Sequence, residues 1–280
     1  MTKRSGWLID CVQHLAARSP LLVRMASKIR NQAEAVMGYA LAPSPNPEKN
    51  GEDSLLSLFR GRIESFVDVG ANIGDWSARV TRIAPMAVGI LFEPNPAAAD
   101  ALRARFSDNK RITIIQAAAS NKAGRVRFFQ EAACGETSSL VPGSSNPNAI
   151  QIEVRTISLS ETLHEMNWST VDFVKIDAEG NDFDVLQGAK ESLQKRAIRV
   201  LQFEYNAAWA LNGSTLAKAI RFLDEFGYST RVITPKGPIE YNYSEFRDFF
   251  RYCNFVAAPP NVWAEVSAGR RRSINAPEHS

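Results

Sequence analysis

Cysteine is scarce in this chain and badly spaced for any joint role. Its three cysteines, Cys11, Cys134 and Cys253, are odd in number, scattered and without metal-ligand spacing. That excludes a disulfide framework and a cysteine-held zinc site, and fits a reducing compartment. Long apolar runs are also missing: nothing approaches the roughly 20 residues that a membrane span needs. The opening "MTKRSGWLIDCVQHLAARSP" is basic, but Asp10, Gln13 and His14 interrupt the apolar stretch of a signal peptide, so the sequence reads as cytoplasmic. Neither sign of charge dominates: 33 Lys and Arg against 30 Asp and Glu leave +3, too little to argue for a nucleic-acid partner. No internal repeat is present. What remains is ordinary globular composition, 45% hydrophobic and 22% charged over 280 residues, enough for one large α/β core and an accessory segment.

Residues 1–41 read as two helices. Trp7, Leu8, Cys11, Val12 and Leu15 fall on one face, and Ser19-Pro20 is an N-cap followed by proline at the first helical position. Leu21, Leu22, Met25, Ile29, Ala33 and Val36 make the stripe of the second helix. Arg18, Arg24, Lys28 and Arg30 outnumber Asp10 and Glu34. Such a segment is a cap on the main domain, a homodimer contact, or a basic amphipathic element resting on an anionic membrane surface. Residues 42–62, opening with "APSPNPEKNGED", read as a linker and leading helix.

Residues 63–260 alternate short apolar runs with amphipathic ones. The strand candidates are "SFVDVG", "AVGILFE", "ITIIQA", "VDFVKID", "RVLQFEY" and "YSTRVIT". Helices are expected over 75–84, 96–106, 182–195 and 214–226. Such alternation implies a mostly parallel sheet covered on both faces, with ligands outside the carboxyl ends of the strands. "GRVRFFQ" and "IQIEVRTI" would add a hairpin or edge pair, and Ser158 with Glu161 has capping-box spacing. Residues 261–280 read as a polar, basic tail.

The stretch "FVDVGANIGDWS" (66–77) is a strand, a glycine turn and a helix start. Gly70 permits the turn, and Gly74 lets the helix begin close to strand and ligand. The spacing is not the dinucleotide Gly-x-Gly-x-x-Gly: Asn72 occupies the loop, and Asp68 at the strand end would repel a pyrophosphate while suiting water or a ligand's ammonium group. Glu93 ends the next strand, 19 residues past Gly74. An acid about 20 residues past such a loop accepts hydrogen bonds from ribose hydroxyls. Pro94 and Pro96 then stop the strand and open a helix. These features favour an adenosine bearing an amino-acid tail. In "IIQAAAS" (114–120), small residues including Ala118 leave room for a flat base, and Gln116 could read its polar edge.

"VDFVKIDAEGNDFDVLQGA" (171–189) follows a buried run with a cluster of charge. Asp182 and Asp184 fit helix capping and the helix dipole. Asp177 and Glu179 sit instead on the turn at the strand's carboxyl end, the rim that faces a ligand. They suit a general base acting on a hydroxyl, or a hard divalent cation, with Glu204 and Asn206 of the next strand able to join either arrangement. The segment 134–149, "CGETSSLVPGSSNPNA", offers hydroxyls from Thr137, Ser138 and Ser139 to a carbohydrate.

Taken in order, "DVGANIG" (68–74), "FEPNP" (92–96), "GETSSL" (135–140) and "KIDAEG" (175–180) resemble the FkbM family of S-adenosylmethionine-dependent methyltransferases, with "VLQGA" (185–189) fitting its next helix. The resemblance runs over about half the chain. It implies a Rossmann-like class I methyltransferase fold, a mostly parallel sheet of seven strands with helices on both faces; "YCNFVAAP" (252–259) is the candidate for its last, antiparallel strand. It also implies S-adenosylmethionine as cofactor, with Gly70, Ala71, Asn72 and Gly74 wrapping the methionine and ribose and Glu93, followed by Pro94, holding the ribose. The acceptor would be a hydroxyl of a sugar, glycan or related natural product. The chain departs from the family pattern at Ser160 and Asp182, where acids, a glutamate at the second, are usual. Two readings compete: an NAD(P)-dependent Rossmann oxidoreductase, disfavoured because the third glycine and a Tyr-x-x-x-Lys pair are missing, and a non-catalytic nucleoside-binding or scaffold protein.

Overall fold

Each short apolar run between 65 and 234 becomes a strand, and each amphipathic run between them becomes helix. The computed structural model describes residues 3–41, 44, 46–130, 138–142 and 149–274. Four helices lead: α1 (Lys3–Ala17), α2 (Pro20–Leu41), α3 (Pro47–Asn50) and α4 (Glu52–Leu58). Then come β1 (Ser65–Val69), α5 (Asp75–Ile83), β2 (Val88–Phe92), α6 (Pro96–Arg105) and β3 (Ile112–Ile115). A small second sheet holds β4 (Ala118–Ala119), β5 (Gly124–Gln130) and β6 (Ile150–Ile157). The chain continues as α7 (Leu159–Glu165), β7 (Val171–Ile176), α8 (Asp182–Gly188), α9 (Lys190–Gln194), β8 (Ile198–Tyr205), α10 (Ala208–Leu211), α11 (Leu216–Glu225), β9 (Ser229–Thr234), β10 (Gly237–Glu240), α12 (Tyr243–Phe246), β11 (Cys253–Ala258) and α13 (Pro260–Ile274).

The main sheet has the order β10-β9-β11-β8-β7-β1-β2-β3. From β3 to β8 every pairing is parallel, and β11 runs antiparallel to both β8 and β9, as expected of the last strand of a class I methyltransferase fold. The sheet has eight strands where seven were expected. The extra one, β10, folds back on β9 as a hairpin, closed by the Thr234 hydroxyl donating to the Gly237 carbonyl at 2.7 Å. The helix expected over 182–195 is two helices meeting at Ala189. Gly188 there lies so close to the second sheet that a Cβ would sit 2.1 Å from the Ser120 carbonyl oxygen.

Alternation along the strands sorts the core onto two faces. Val67, Val69, Val174, Ile176, Leu201 and Phe203 face the layer containing Val185, Leu186, Trp209 and Leu223. Phe66, Phe173 and Val200 face the layer containing Leu55, Phe59, Trp76 and Val80. Both flanking segments reach this core. The linker contributes Leu55, Leu56 and Phe59 to the core from α4, and the stretch expected as a polar tail starts as α13, with Val262, Trp263 and Val266 buried. The two departures from the family pattern both serve local order. Ser160 meets the backbone N–H of Ser192 at 3.1 Å and its hydroxyl at 3.0 Å, while fully buried Asp182 accepts from the N–H groups of Ala178 and Gly180 at 3.3 and 3.1 Å.

Trp209 closes the core beneath the carboxyl ends of the strands. It is fully buried, packs against Phe183, Phe203 and Tyr205, and its indole N–H donates to the Glu204 carbonyl at 3.0 Å. Trp209→Ala should lower unfolding free energy by about 3–5 kcal/mol, measured by urea denaturation.

Candidate functional site

The same alternation that buries Val67 and Val69 on one face turns Asp68 to the other. Parallel register sets Asp68 beside Lys175 of β7, and Lys175 beside Gln202 of β8. All three are buried. The row is completed from α4, where Glu52 accepts from the Gln202 side-chain amide at 2.6 Å. Lys175 donates to Asp177 Oδ2 at 2.7 Å. Burial alone would strip the proton from Lys175, but the charges of Asp177, Asp68 and Glu52 outweigh it and hold the ammonium more firmly than usual. Asp68 Oδ2 accepts from the Ser77 hydroxyl at 2.6 Å, and burial pushes its carboxyl upward against the pull of Lys175.

Above this row the chain leaves β1 through the glycine turn. Gly70 has φ 77°, and a Cβ there would lie 1.8 Å from the Asp177 carbonyl oxygen, so no other residue fits without moving the turn after β7. The Gly70 and Ala71 N–H groups donate to the Phe92 carbonyl at 3.0 and 2.9 Å. Glu93, at the end of β2, accepts the Asn72 N–H on one oxygen and the Asn95 N–H on the other, each at 2.7 Å. Burial raises its carboxyl to about 7 despite these bonds.

Beyond Lys175 lies the acidic edge. One carboxylate oxygen each of Asp177, Glu179 and Glu204 falls within 4.8 Å of the others, close enough to share a divalent cation or a substrate proton. Glu204 accepts from the Asn206 side-chain amide at 2.7 Å; burial, then the charges of Asp177, Glu179 and Asp182, push its carboxyl well up. Burial and Asp177 likewise lift Asp182 to about 7. The Ser139 hydroxyl donates to the Glu179 backbone carbonyl at 2.6 Å, tying the polar loop to the turn after β7.

Asp68, Lys175, Glu52, the glycine turn, Glu93 and the three converging carboxylates line one cavity of about 590 Å³ at the carboxyl ends of β1, β2, β7 and β8. Of the residues expected from sequence, it brings together Asp68, Gly70, Ala71, Asn72, Glu93, Pro94, Ala118, Ser138, Asp177, Glu179 and Glu204. Three lie outside its lining. Gly74 packs instead under α6, where a Cβ would come within 2.7 Å of Leu102 and Phe106. Gln116 is exposed and accepts from Arg103 at 2.9 Å. Ser139 is buried behind the wall. Thr137 lies outside the described residues. Sequence reasoning gave no role to Lys175, Glu52 or Tyr252, which also line the cavity. The signal for the first was a lysine inside an apolar parallel strand; Glu52 and Tyr252 carried none.

The lining suits a nucleoside with an amino-acid tail. Ala98, Ala118 and Ala119 leave a smooth wall, Glu93 supplies carboxylate acceptors beside the turn, and the buried Asp68 Oδ1 and Asn72 Oδ1 have no hydrogen-bond partner among the described residues, fitting a ligand ammonium group.

Residues 68–230 match the family described as the Methyltransferase FkbM domain. The 2-O-methyltransferase NoeI of Sinorhizobium fredii is 24% identical over 213 residues, covering 71% of this chain and 84% of that protein. The methyltransferase sdnD of Sordaria araneosa is 27% identical over 155 residues, covering 45% of this chain and 60% of that protein. Among solved structures, the methyltransferase FkbM from Methylobacillus flagellatus is 17% identical with a TM-score of 0.46, covering 69% of this chain and 43% of that one.

Glu93 and Asp182 titrate at about 7, above the usual 4.5 and 3.8. The folded chain therefore binds these protons more tightly than the unfolded chain does. Their stabilising contribution is complete below pH of about 4 and is lost as pH rises through about 7. Glu93→Gln should remove about 1.4 kcal/mol of the stability lost between about pH 6 and about pH 8, read from urea midpoints at both.

Proposed function

The chain belongs to the FkbM methyltransferase domain family, and we propose that it transfers a methyl group from S-adenosylmethionine to a hydroxyl of a sugar, glycan or related natural product. The observation carrying this reading is the single cavity, in which the turn and Glu93 at one end meet the Asp177, Glu179 and Glu204 carboxylates at the other. The relative named as a 2-O-methyltransferase supports oxygen as the accepting atom.

S-adenosylmethionine, when bound, supplies an electrophilic methyl carbon on a sulfonium. Glu93 would accept from the ribose hydroxyls, Asp68 and Asn72 would hold the ammonium group, and the alanine wall would admit the base. What remains for the protein is to align a hydroxyl oxygen, exclude water and take one proton. Asp177 is the proposed acceptor of that proton, with Glu179 second. Lys175 fixes Asp177 through Oδ2, while burial and the neighbouring carboxylates push the Glu204 carboxyl up. Ser138 would hydrogen-bond the acceptor at the cavity's outer edge.

The test is transfer of labelled methyl from S-adenosylmethionine to a panel of mono- and oligosaccharides, glycolipids, phenols and polyketide alcohols. Label in a hydroxyl-bearing acceptor is expected; cofactor binding without transfer to any of them would overturn the reading. On the acceptor so found, Asp177→Asn should lower kcat by about a hundredfold or more while cofactor affinity stays within about threefold. Loss of turnover in EDTA, restored by Mg²⁺, would move the role of the carboxylates from base to cation ligands.

A further inference from the structure

Helix α2 presents an apolar stripe to solvent. At about 100° per residue, Leu21, Met25, Ile29, Val36 and Tyr39 fall within a sector of roughly 80°, and they are 51–73% exposed. Among the described residues, only the last turns of the helix rest on the protein, where Glu34, Ala35 and Gly38 are half-buried. Glu34 pairs with Arg251 at 3.8 Å, and a Cβ on Gly38 would touch the Arg251 side chain at 3.6 Å. The stripe therefore faces away from the contacts that seat these last turns. Arg24 and Lys28 project along one border of it, while Arg30 lies toward the opposite side, where it pairs with Glu34 at 3.5 Å. α1 adds exposed Val12 and Leu15. Residues 1–41 hold six basic side chains against two acidic, so this segment alone exceeds the +3 of the whole chain.

We propose that the outward face of α2 docks on an anionic lipid surface, its apolar stripe entering the headgroup boundary and its flanking cations meeting the lipid charge. No helix among the described residues is long and apolar enough to cross a membrane, so this segment lies along the surface. A second copy of the chain fits the face less well, because it brings a segment of the same net positive charge to it. Anionic lipid supplies the opposite charge instead. Pro47 and Glu52, shortly after α2, line the cavity. A docked α2 thus keeps the cavity within reach of a surface-borne acceptor. The inference stands on this face alone and is independent of the methyl-transfer reading.

The test is co-sedimentation of the full chain with vesicles of phosphatidylcholine, alone or with about one-third phosphatidylglycerol, at low and high salt. Binding to the anionic vesicles, at least about tenfold weaker on neutral ones and weakened by salt, is expected. Ile29→Glu with Val36→Glu should abolish it, and Arg24→Gln with Lys28→Gln should reduce it to the neutral-vesicle level, with far-ultraviolet circular dichroism and urea midpoint unchanged for both. Failure of the wild-type chain to sediment with anionic vesicles would overturn the proposal. So would a dimer in analytical ultracentrifugation that Ile29→Glu dissociates, which would reassign the face to a second copy.

Discussion

A lysine buried in the middle of a parallel sheet has to be neutralised, and the floor of the cavity is built around that requirement. Stranding an ammonium there would cost several kcal/mol. Lys175 avoids it through the carboxylate of Asp177 on its own chain segment, Asp68 on the neighbouring strand and Glu52 delivered by α4. Gln202 links the last of these to the sheet. One cation thereby accounts for three buried or half-buried acids and for the position of a helix that begins in what reads as a linker. It also gives the acidic edge a permanent counter-charge.

The two ends of the cavity are mechanically joined at Asp177. Its backbone N–H donates to the Val69 carbonyl at 3.0 Å, and its own carbonyl fills the space that a side chain at Gly70 would need. The turn beside the nucleoside end and the turn bearing the proposed base therefore cannot shift independently. Asp182 and Ser139 brace the second turn from below and from the side. Glu93 and Glu204 are both raised first by burial, and neighbouring carboxylates add to it: Asp68 and Asp177 for Glu93, and Asp177, Glu179 and Asp182 for Glu204. The cavity thus holds a carboxylate bound by two backbone N–H groups at one end and three converging carboxylates at the other.

Legibility in the sequence followed burial. Strands covered on both faces leave short continuous apolar runs, so β1, β2, β3, β7, β8 and β9 could be placed from their apolar runs, β11 followed from the family resemblance, and the rim residues Asp68, Glu93, Asp177, Glu179 and Glu204 from their places at strand ends. What escaped notice was set by tertiary partners. β10 is a hairpin return with little apolar content, and α13 buries three side chains spread among polar ones. Gly74 had the spacing of a ligand-facing glycine but is spent on the α5–α6 packing. Gln116 lay one residue beyond β3, where its direction depends on an exposed arginine from α6. Lys175 was visible as a charge in the wrong place, yet its meaning required knowing that Glu52, 123 residues earlier, lies beside it.

The turn at Gly70 and the carboxylate of Glu93 are proposed as a site for an adenosine with an amino-acid tail. Calorimetric titration with S-adenosylhomocysteine, alongside NAD⁺ and with Glu93→Ala as control, tests it most directly. Micromolar binding of S-adenosylhomocysteine, weakened at least about tenfold by the substitution, is the predicted result. No binding, or tighter binding of NAD⁺, would contradict it.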